Sequence, residues 1–247
     1  MSKVAIVTGA SRNIGRAIAL QLGREGHTLA CFGRDVAALE ETAMMLAAVG
    51  AKASIFVGDA RANDSLEAFA RHAVATHGGI DVVVNNAGVL RDGSIDAITP
   101  AMFAEDLQVN LIGQYALARA AYPSMKSRGG GVVINIGSMA GQMALPHCPS
   151  YVTSKAGIEG LTRALAYEWA CDHIRVLTVA PGYVESNISH DALADAKTRD
   201  WILKRIPMRR VAKPEEIGHF VAFMVSARAS FCTGETYYVD GGQRMSI

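Results

Sequence analysis

Short runs of aliphatic and β-branched residues alternate with helical stretches along the whole chain, and this alternation most constrains the fold. Strands are predicted at 4–7, 28–32, 53–57, 81–84, 132–136, 175–180 and 236–239. Helices are predicted at about 14–23, 36–49, 63–77, 100–126 with a break near Val109 and Asn110, 150–171, and from 214 onward. Strands that alternate with helices pair in parallel and are covered on both faces. The sequence therefore predicts one α/β domain over residues 1–247, a single doubly wound (Rossmann-type) parallel sheet of about seven strands.

Composition excludes several classes of protein. Half of the residues are hydrophobic and 19% are charged, which is typical of a globular chain with a substantial core. A net charge of +1 gives no reason to expect a nucleic-acid partner. No apolar run is long enough for a membrane span, and the first residues lack a signal-peptide core. The four cysteines and seven histidines show no ligand spacing, so we expect buried free thiols, a cytoplasmic protein and no metal site.

Polar or turn-forming residues come at the ends of several predicted strands. They are Gly9, Asp59, Asn85, Ser138 and Pro181. The carboxyl ends of parallel strands meet at one edge of a sheet, and ligands bind there at the point where the winding direction reverses. The sequence therefore predicts a single site at this edge.

Tyr151 and Lys155 are four residues apart in the 150–171 helix, so they share one helix face. A free phenol titrates near pH 10 and is a poor proton donor or acceptor at neutral pH. A neighbouring cation favours the phenolate and lowers its pKa toward the working range. The pair suits proton transfer to or from an alcohol oxygen, although such a pair by itself is more often an ordinary surface feature.

The first strand runs into a glycine-containing turn and then a helix, an arrangement that lets backbone N–H groups bind a pyrophosphate. The second strand ends in Phe32-Gly33-Arg34, without the acidic residue that would bind a ribose 2′-OH. Arg34 and Arg12 could instead clamp a 2′-phosphate through paired donors, which favours NADP over NAD. Asp35 is interpreted as the N-cap of the next helix. The alternative for Arg34 is a solvated loop charge.

Together these motifs resemble the short-chain dehydrogenase/reductase family, in its compact single-domain form, over nearly the whole chain. The first turn is similar to the family pattern Thr-Gly-x-x-x-Gly-x-Gly, except that Asn13 replaces the middle glycine. Asparagine tolerates left-handed backbone conformations, so we expect the turn to keep its shape. The resemblance implies cofactor contacts at Gly9, Ser11, Arg12, Asn13, Ile14, Gly15, Arg34, Asp59, Ala60, Asn86, Ala87, Gly88, Tyr151, Lys155, Pro181, Gly182, Val184 and Ser186.

The resemblance also implies four catalytic residues. Tyr151 is the general acid for ketone reduction and the general base for alcohol oxidation. Lys155 lowers the pKa of the phenol and binds the nicotinamide ribose. Ser138 hydrogen-bonds the substrate oxygen, and Asn110 holds a water molecule in a proton relay.

Within the family, the chain resembles the bacterial 3-oxoacyl-acyl-carrier-protein reductases and related keto reductases, although many sugar-alcohol, steroid and cyclic-alcohol dehydrogenases share the same motifs. This similarity implies NADP(H)-dependent reduction of a 3-oxoacyl thioester or a similar ketone, and a homotetramer. Two alternatives remain open: an NAD-dependent dehydrogenase of a sugar, steroid or cyclic secondary alcohol, and a non-catalytic nucleotide-binding scaffold. Residues 187–205 are a candidate substrate lid, with Leu193, Trp201 and Ile202 expected to face inward.

Overall fold

The structure is a computed structural model that describes residues 2–186, 189 and 193–245. Within these residues, seven parallel strands form one sheet in the order β3-β2-β1-β4-β5-β6-β7. The strands are β1 (Val4–Thr8), β2 (Thr28–Gly33), β3 (Ala53–Val57), β4 (Val82–Asn85), β5 (Gly131–Ile136), β6 (Ile174–Pro181) and β7 (Thr236–Val239). The predicted sheet is confirmed. Its carboxyl ends lie at one edge, as expected for all-parallel pairing.

Helices cover both faces of the sheet. They are α1 (Asn13–Arg24), α2 (Val36–Ala48), α3 (Asn63–His77), α4 (Pro100–Leu107), α5 (Gly113–Ser127), α6 (Pro149–Trp169), α7 (Ala196–Arg205) and α8 (Pro214–Val225). One buried cluster joins the sheet to α1, α2 and α8, and a second joins its opposite face to α3, α5 and α6. Among the described residues, no helix has the length and apolar composition needed to cross a membrane.

The helical stretch at 100–127 is interrupted where the sequence predicts a break. Residues Gln108–Ile112 form a π-helical turn between α4 and α5, and Asn110 within it is fully buried. Single π-helical turns inside α-helices are frequent at functional sites. The position of the break is therefore confirmed, and its form is new information from the structure.

The candidate lid is described only in part, since residues 187, 188 and 190–192 lie outside the described residues. In α7, Ile202 is fully buried, whereas Trp201 is half-exposed and stacks on the Arg205 guanidinium, 3.8 Å from ring centroid to Cζ. Ile202 faces inward as expected, whereas the expectation that Trp201 does so is wrong, because its ring packs on Arg205 at the surface.

The four cysteines are free thiols, but the expectation that all of them are buried is wrong. Cys31 and Cys148 are buried, Cys232 is half-buried, and Cys171 is exposed at the end of α6.

Candidate active site

The winding of the sheet reverses between β1 and β4, and the turns that follow these two strands are bonded to each other. The Thr8 hydroxyl accepts hydrogen bonds from the backbone N–H groups of Asn86 and Ala87, both at 3.0 Å. The Asn86 side-chain amide in turn donates to the carbonyls of Thr8 and Gly9, at 2.9 and 3.2 Å. These hydrogen bonds hold the two turns together at the point where the winding of the sheet reverses, which is where ligands bind in sheets of this kind.

The glycine-containing turn has the backbone shape that the sequence pattern requires. Gly9 and Asn13 both have positive φ angles, +65° and +49°. The prediction that Asn13 adopts a left-handed conformation in place of glycine is confirmed. A Cβ atom on Gly15 would collide with the Gly9 carbonyl oxygen and lie 2.5 Å from the Asn86 amide nitrogen. No side chain can be added at this position, so α1 starts close against the first turn.

A cleft of about 700 Å³ opens at this edge of the sheet. The residues that the sequence placed at the cofactor and that line it are Gly9, Ser11, Arg12, Asn13, Ile14, Gly15, Arg34, Asp59, Ala60, Asn86, Ala87, Gly88 and Ser186. The lining residues that sequence reasoning missed are Phe32, Gly33, Asp35, Gly58, Arg61, Val89 and Val109. Gly33 ends β2 and Gly58 follows β3, so the strand-end rule could have found both. Val89 and Val109 carry no comparable signal in the sequence.

Two ion pairs lie at the end of the cleft near β2 and β3. The Arg12 Nη2 atom is 2.5 Å from the Asp35 Oδ2 atom, and the Arg61 Nη1 atom is 3.1 Å from the Asp59 Oδ2 atom. The expectation that Arg12 is available to a phosphate needs correction, because its guanidinium is already paired. Asp35 serves both partners, since its Oδ1 atom also accepts from the Ala38 N–H at 3.1 Å and caps α2. Arg34 is exposed at the same end of the cleft.

Ser138, Tyr151 and Lys155 come together beside the cleft. Ser138 follows β5, whereas the other two lie in the first turns of α6. The Lys155 Nζ atom is 5.5 Å from the centroid of the Tyr151 ring and donates to the Ile136 carbonyl at 2.9 Å. The Tyr151 phenol hydrogen-bonds Ser138. This arrangement brings a hydroxyl, a phenol and a buried ammonium group to one end of the sheet.

The titration of this group differs from the expectation. Burial raises the pKa of the Tyr151 phenol, and the hydrogen bond with Ser138 opposes that shift. Burial lowers the pKa of the Lys155 ammonium to about 8. The net pKa of the phenol is therefore raised rather than lowered in this structure, because loss of solvation is the largest cause acting on it. The role of Lys155 at the phenol stays a prediction.

Asn110 connects three elements around the same group. Its Oδ1 atom accepts from the Val89 N–H at 2.8 Å, and its Nδ2 atom donates to the Val89 carbonyl at 2.9 Å. The Nδ2 atom also donates to the Ser154 hydroxyl at 3.0 Å. A Cβ atom on Gly88 would lie 3.2 Å from the Asn110 Oδ1 atom and 3.8 Å from the Lys155 Nζ atom. A side chain at residue 88 would therefore require the Asn110 amide to shift by a few tenths of an ångström.

The segment after β6 continues along the edge of the sheet. The Gly182 N–H donates to the Val239 carbonyl at 3.0 Å, and Val184 is buried and bridges to Ala212. Ser186 reaches the cleft lining, and its hydroxyl is 3.2 Å from that of Ser189. Pro181 and Val184, both predicted at the cofactor, are buried, and the Val184 side chain belongs to the core.

Comparisons with known proteins agree with this geometry. A family model described as enoyl-(acyl carrier protein) reductase matches residues 9–244. A 3-oxoacyl-[acyl-carrier-protein] reductase of Pseudomonas aeruginosa is 38% identical over 244 residues, covering 99% of this chain and 98% of the relative.

Solved structures give the same result. A gluconate 5-dehydrogenase of Burkholderia cenocepacia, in complex with NADP and tartrate, is 31% identical with a TM-score of 0.95, covering 100% of this chain and 97% of the other. A short-chain type dehydrogenase/reductase of Mycobacterium marinum is 32% identical with a TM-score of 0.92, covering 98% of this chain and 95% of the other.

Proposed function

The chain belongs to the short-chain dehydrogenase/reductase family, and on that premise we propose that it is an NADP(H)-dependent reductase of a 3-oxoacyl thioester or a similar ketone. The observation that carries the proposal is the group formed by Ser138, Tyr151 and Lys155 beside the cleft. A nucleotide-binding scaffold has no chemical use for that group.

The cleft suits a dinucleotide at its glycine turn. The Arg12 side chain does not cap α1, so the N–H groups of the first helical turn have no side-chain acceptor at that position. Such N–H groups bind a pyrophosphate, and Gly9 and Gly15 line the cleft at this turn. Asn86, Ala87 and Gly88 would hold the middle of the cofactor. When bound, the nicotinamide supplies the hydride for reduction or accepts it in oxidation.

The protein supplies the proton and holds the substrate oxygen. In ketone reduction, the Tyr151 phenol gives its proton to the carbonyl oxygen as that oxygen becomes a hydroxyl. The Ser138 hydroxyl donates a hydrogen bond to the same oxygen and stabilises the charge that develops there. Lys155 favours the phenolate that remains once the proton has left, and Asn110 would hold water beside this group. In alcohol oxidation, the phenolate takes the proton back.

Arg34 supports the choice of NADP. It is exposed at the end of the cleft and β2 ends without an acidic residue in that place. A guanidinium group binds a phosphate through paired donors. A relative with 31% identity, the gluconate 5-dehydrogenase, is in complex with NADP.

That same relative makes sugar-acid oxidation the second candidate, with the opposite direction of hydride transfer. Two titrations and one turnover assay separate the candidates. We expect tighter binding of NADPH than of NADH by fluorescence, and loss of this difference in Arg34→Ala. We also expect oxidation of NADPH with a 3-oxoacyl thioester.

The outcomes that count against the proposal are distinct. Equal or tighter binding of NADH removes Arg34 from its role and favours an NAD-linked dehydrogenase. Turnover of gluconate but not of the thioester favours the second candidate. Cofactor binding without turnover of either the thioester or gluconate would favour the non-catalytic nucleotide-binding scaffold.

Exposed large apolar side chains support a homotetramer. They are Ile112 in the π-helical turn, Tyr115 in α5, Tyr167 in α6, Phe223 in α8 and Phe231 after α8. Large exposed apolar side chains favour protein–protein contact. Light scattering after gel filtration would test the assembly.

The free thiols of all four cysteines support a cytoplasmic location.

A further inference from the structure

Two helical segments are joined by two hydrogen bonds that flank Tyr151. In the α4 and π-helical segment, Asp106 and Asn110 are four residues apart, and in α6 Ser150 and Ser154 are four residues apart. The Ser150 hydroxyl donates to the Asp106 Oδ2 atom at 2.6 Å, and the Asn110 Nδ2 atom donates to the Ser154 hydroxyl at 3.0 Å. Residues four apart share a helix face, so the two bonds form parallel rungs between the segments.

Asp106 and Asn110, one from each rung, also bond the chain that follows β4. Asn110 bonds the backbone of Val89 on both its N–H and its carbonyl. The Asp106 carboxylate accepts from the Arg91 Nε atom, at 3.2 and 3.3 Å to its two oxygens. The residue before Val89 is Gly88, which lies against Lys155. The rungs therefore join the strand-end loop, the π-helical break and the start of α6.

The Asp106 rung is closed off from solvent. Asp106 is 2% exposed and Ser150 is fully buried. A buried carboxylate is costly unless it is paired and hydrogen-bonded, and here it has both an arginine and a hydroxyl. Ser150 directly precedes Tyr151, so a displacement of one moves the other. The Ser154 hydroxyl also donates to the Tyr151 carbonyl at 2.7 Å, which ties the second rung to the same residue.

We infer that Asp106 and Ser150 are positioning residues, which hold the first turn of α6 so that the Tyr151 phenol stays in line with Ser138 for proton transfer. The inference rests on the proposed function for its catalytic consequence, but not for the structural link itself. A displacement of about 1 Å in a reacting group can cost up to ~10²-fold in rate. When the Asp106–Ser150 bond is removed, the Asn110–Ser154 bond remains. We therefore expect Tyr151 to lose only part of its alignment with Ser138.

The test uses Ser150→Ala, which removes one hydroxyl, and compares Asp106→Ala with Asp106→Asn. We expect Ser150→Ala and Asp106→Ala to lower kcat roughly tenfold with little change in the KM for NADPH. The solvent isotope effect on kcat should rise, because proton transfer becomes slower relative to the other steps. Asp106→Asn keeps an oxygen that can accept from Ser150, so it should recover much of the kcat that Asp106→Ala loses. Gln108→Ala is the matched control, since it removes a side-chain bond from the same segment to Asn63.

Amide hydrogen exchange at 150–155 is measured in parallel and does not depend on turnover. Faster exchange there in Ser150→Ala, but not in Gln108→Ala, is the expected result. Exchange that is unchanged in Ser150→Ala overturns the inference, whatever reaction the protein catalyses. Faster exchange with wild-type kcat and isotope effect also overturns it, because the rung would then be merely structural. If the wild-type protein has no turnover, the proposed function is overturned. Amide hydrogen exchange then still tests whether the Asp106–Ser150 bond holds the first turn of α6. If Asp106→Ala does not fold, Ser150→Ala and Asp106→Asn carry the test.

Discussion

Arg12 and Asp35 form an ion pair across the end of the cleft, between the turn after β1 and the start of α2, with 2.5 Å between Nη2 and Oδ2. The second oxygen of the carboxylate caps α2 through the Ala38 N–H. Both side chains are about half-exposed, so the pair contributes little to stability, at most about 1 kcal/mol. Its importance is for binding, because a 2′-phosphate at this end would compete with Asp35 for Arg12.

Asp35→Asn should therefore strengthen NADPH binding. The change removes a negative charge near the proposed phosphate position and releases Arg12, while asparagine remains a good N-cap for α2. We expect the Kd for NADPH to fall several-fold, as for a charged contact of about 1 kcal/mol, and the Kd for NADH to stay nearly constant. Fluorescence titration of both cofactors measures the ratio. Equal changes for the two cofactors would show that the 2′-phosphate does not lie near Asp35.

Much of this fold could be predicted from the sequence because each element carries a local signal. The predicted helix at 63–77 has the bounds of α3, and β3 has the predicted bounds as well. Asn13 replaces the middle glycine of the family pattern, and because asparagine tolerates left-handed conformations the turn is predicted to keep its shape; its φ of +49° agrees. The all-parallel sheet then placed the strand-end residues at one edge without further information.

The site could be predicted less completely, since its chemistry depends on distances between separate elements. Spacing puts Tyr151 and Lys155 on one helix face, but it does not give the loss of solvation that raises the pKa of one and lowers the pKa of the other. The sequence likewise gives Asp35 a capping role, but it does not show that Arg12, 23 residues earlier, is the second partner of Asp35. The Asp106–Ser150 bond spans 44 residues and has no sequence motif.

The left-handed turn predicts a specific order of stability at residue 13. Asn13→Gly should be neutral or slightly stabilising, whereas Asn13→Ala should lose about 1 kcal/mol, because a Cβ without a local hydrogen-bonding group is disfavoured at positive φ. Urea unfolding measures the difference. Gln21→Ala, in the last turn of α1, is the control for a substitution to alanine at a normal helical position. If Asn13→Ala and Asn13→Gly are equally stable, residue 13 does not adopt this conformation in solution.

Removing the Tyr151 hydroxyl should stop proton transfer while leaving the nucleotide cleft intact. We expect Tyr151→Phe to lower kcat by ~10²-fold or more, the usual contribution of a general acid. The Kd for NADPH should change little, since the phenyl ring keeps the packing of the first turn of α6. Tyr167→Phe is the matched control on the same helix, because Tyr167 is 90% exposed and far along α6. Turnover that survives in Tyr151→Phe would remove this residue from its proposed role.

Burial of Lys155 predicts a stability that depends on pH. The pKa of Lys155 is about 8 in the folded chain, against 10.5 for an ordinary lysine. Between these values the unfolded chain binds a proton that the folded chain does not, so the free energy of unfolding rises with pH in that window. Over the whole window of 2.5 pKa units the contribution is about 3.5 kcal/mol, at about 1.4 kcal/mol per pKa unit. Below about pH 8 the folded chain carries a buried charge, and Lys155→Met should be the more stable protein there.

The measurement is urea unfolding of wild type and Lys155→Met from about pH 7 to about pH 9.5. We expect the stability of wild type relative to Lys155→Met to increase steadily above about pH 8. The raised pKa of Tyr151 acts in the opposite direction, since the unfolded phenol ionises first, but its effect begins only near pH 10. Lys126→Met is the control, because hydrogen bonds to Asp172 and Tyr122 raise the pKa of exposed Lys126, and its difference should stay flat over this range. A flat difference for Lys155→Met as well would mean that the Lys155 ammonium keeps its ordinary pKa in the folded protein.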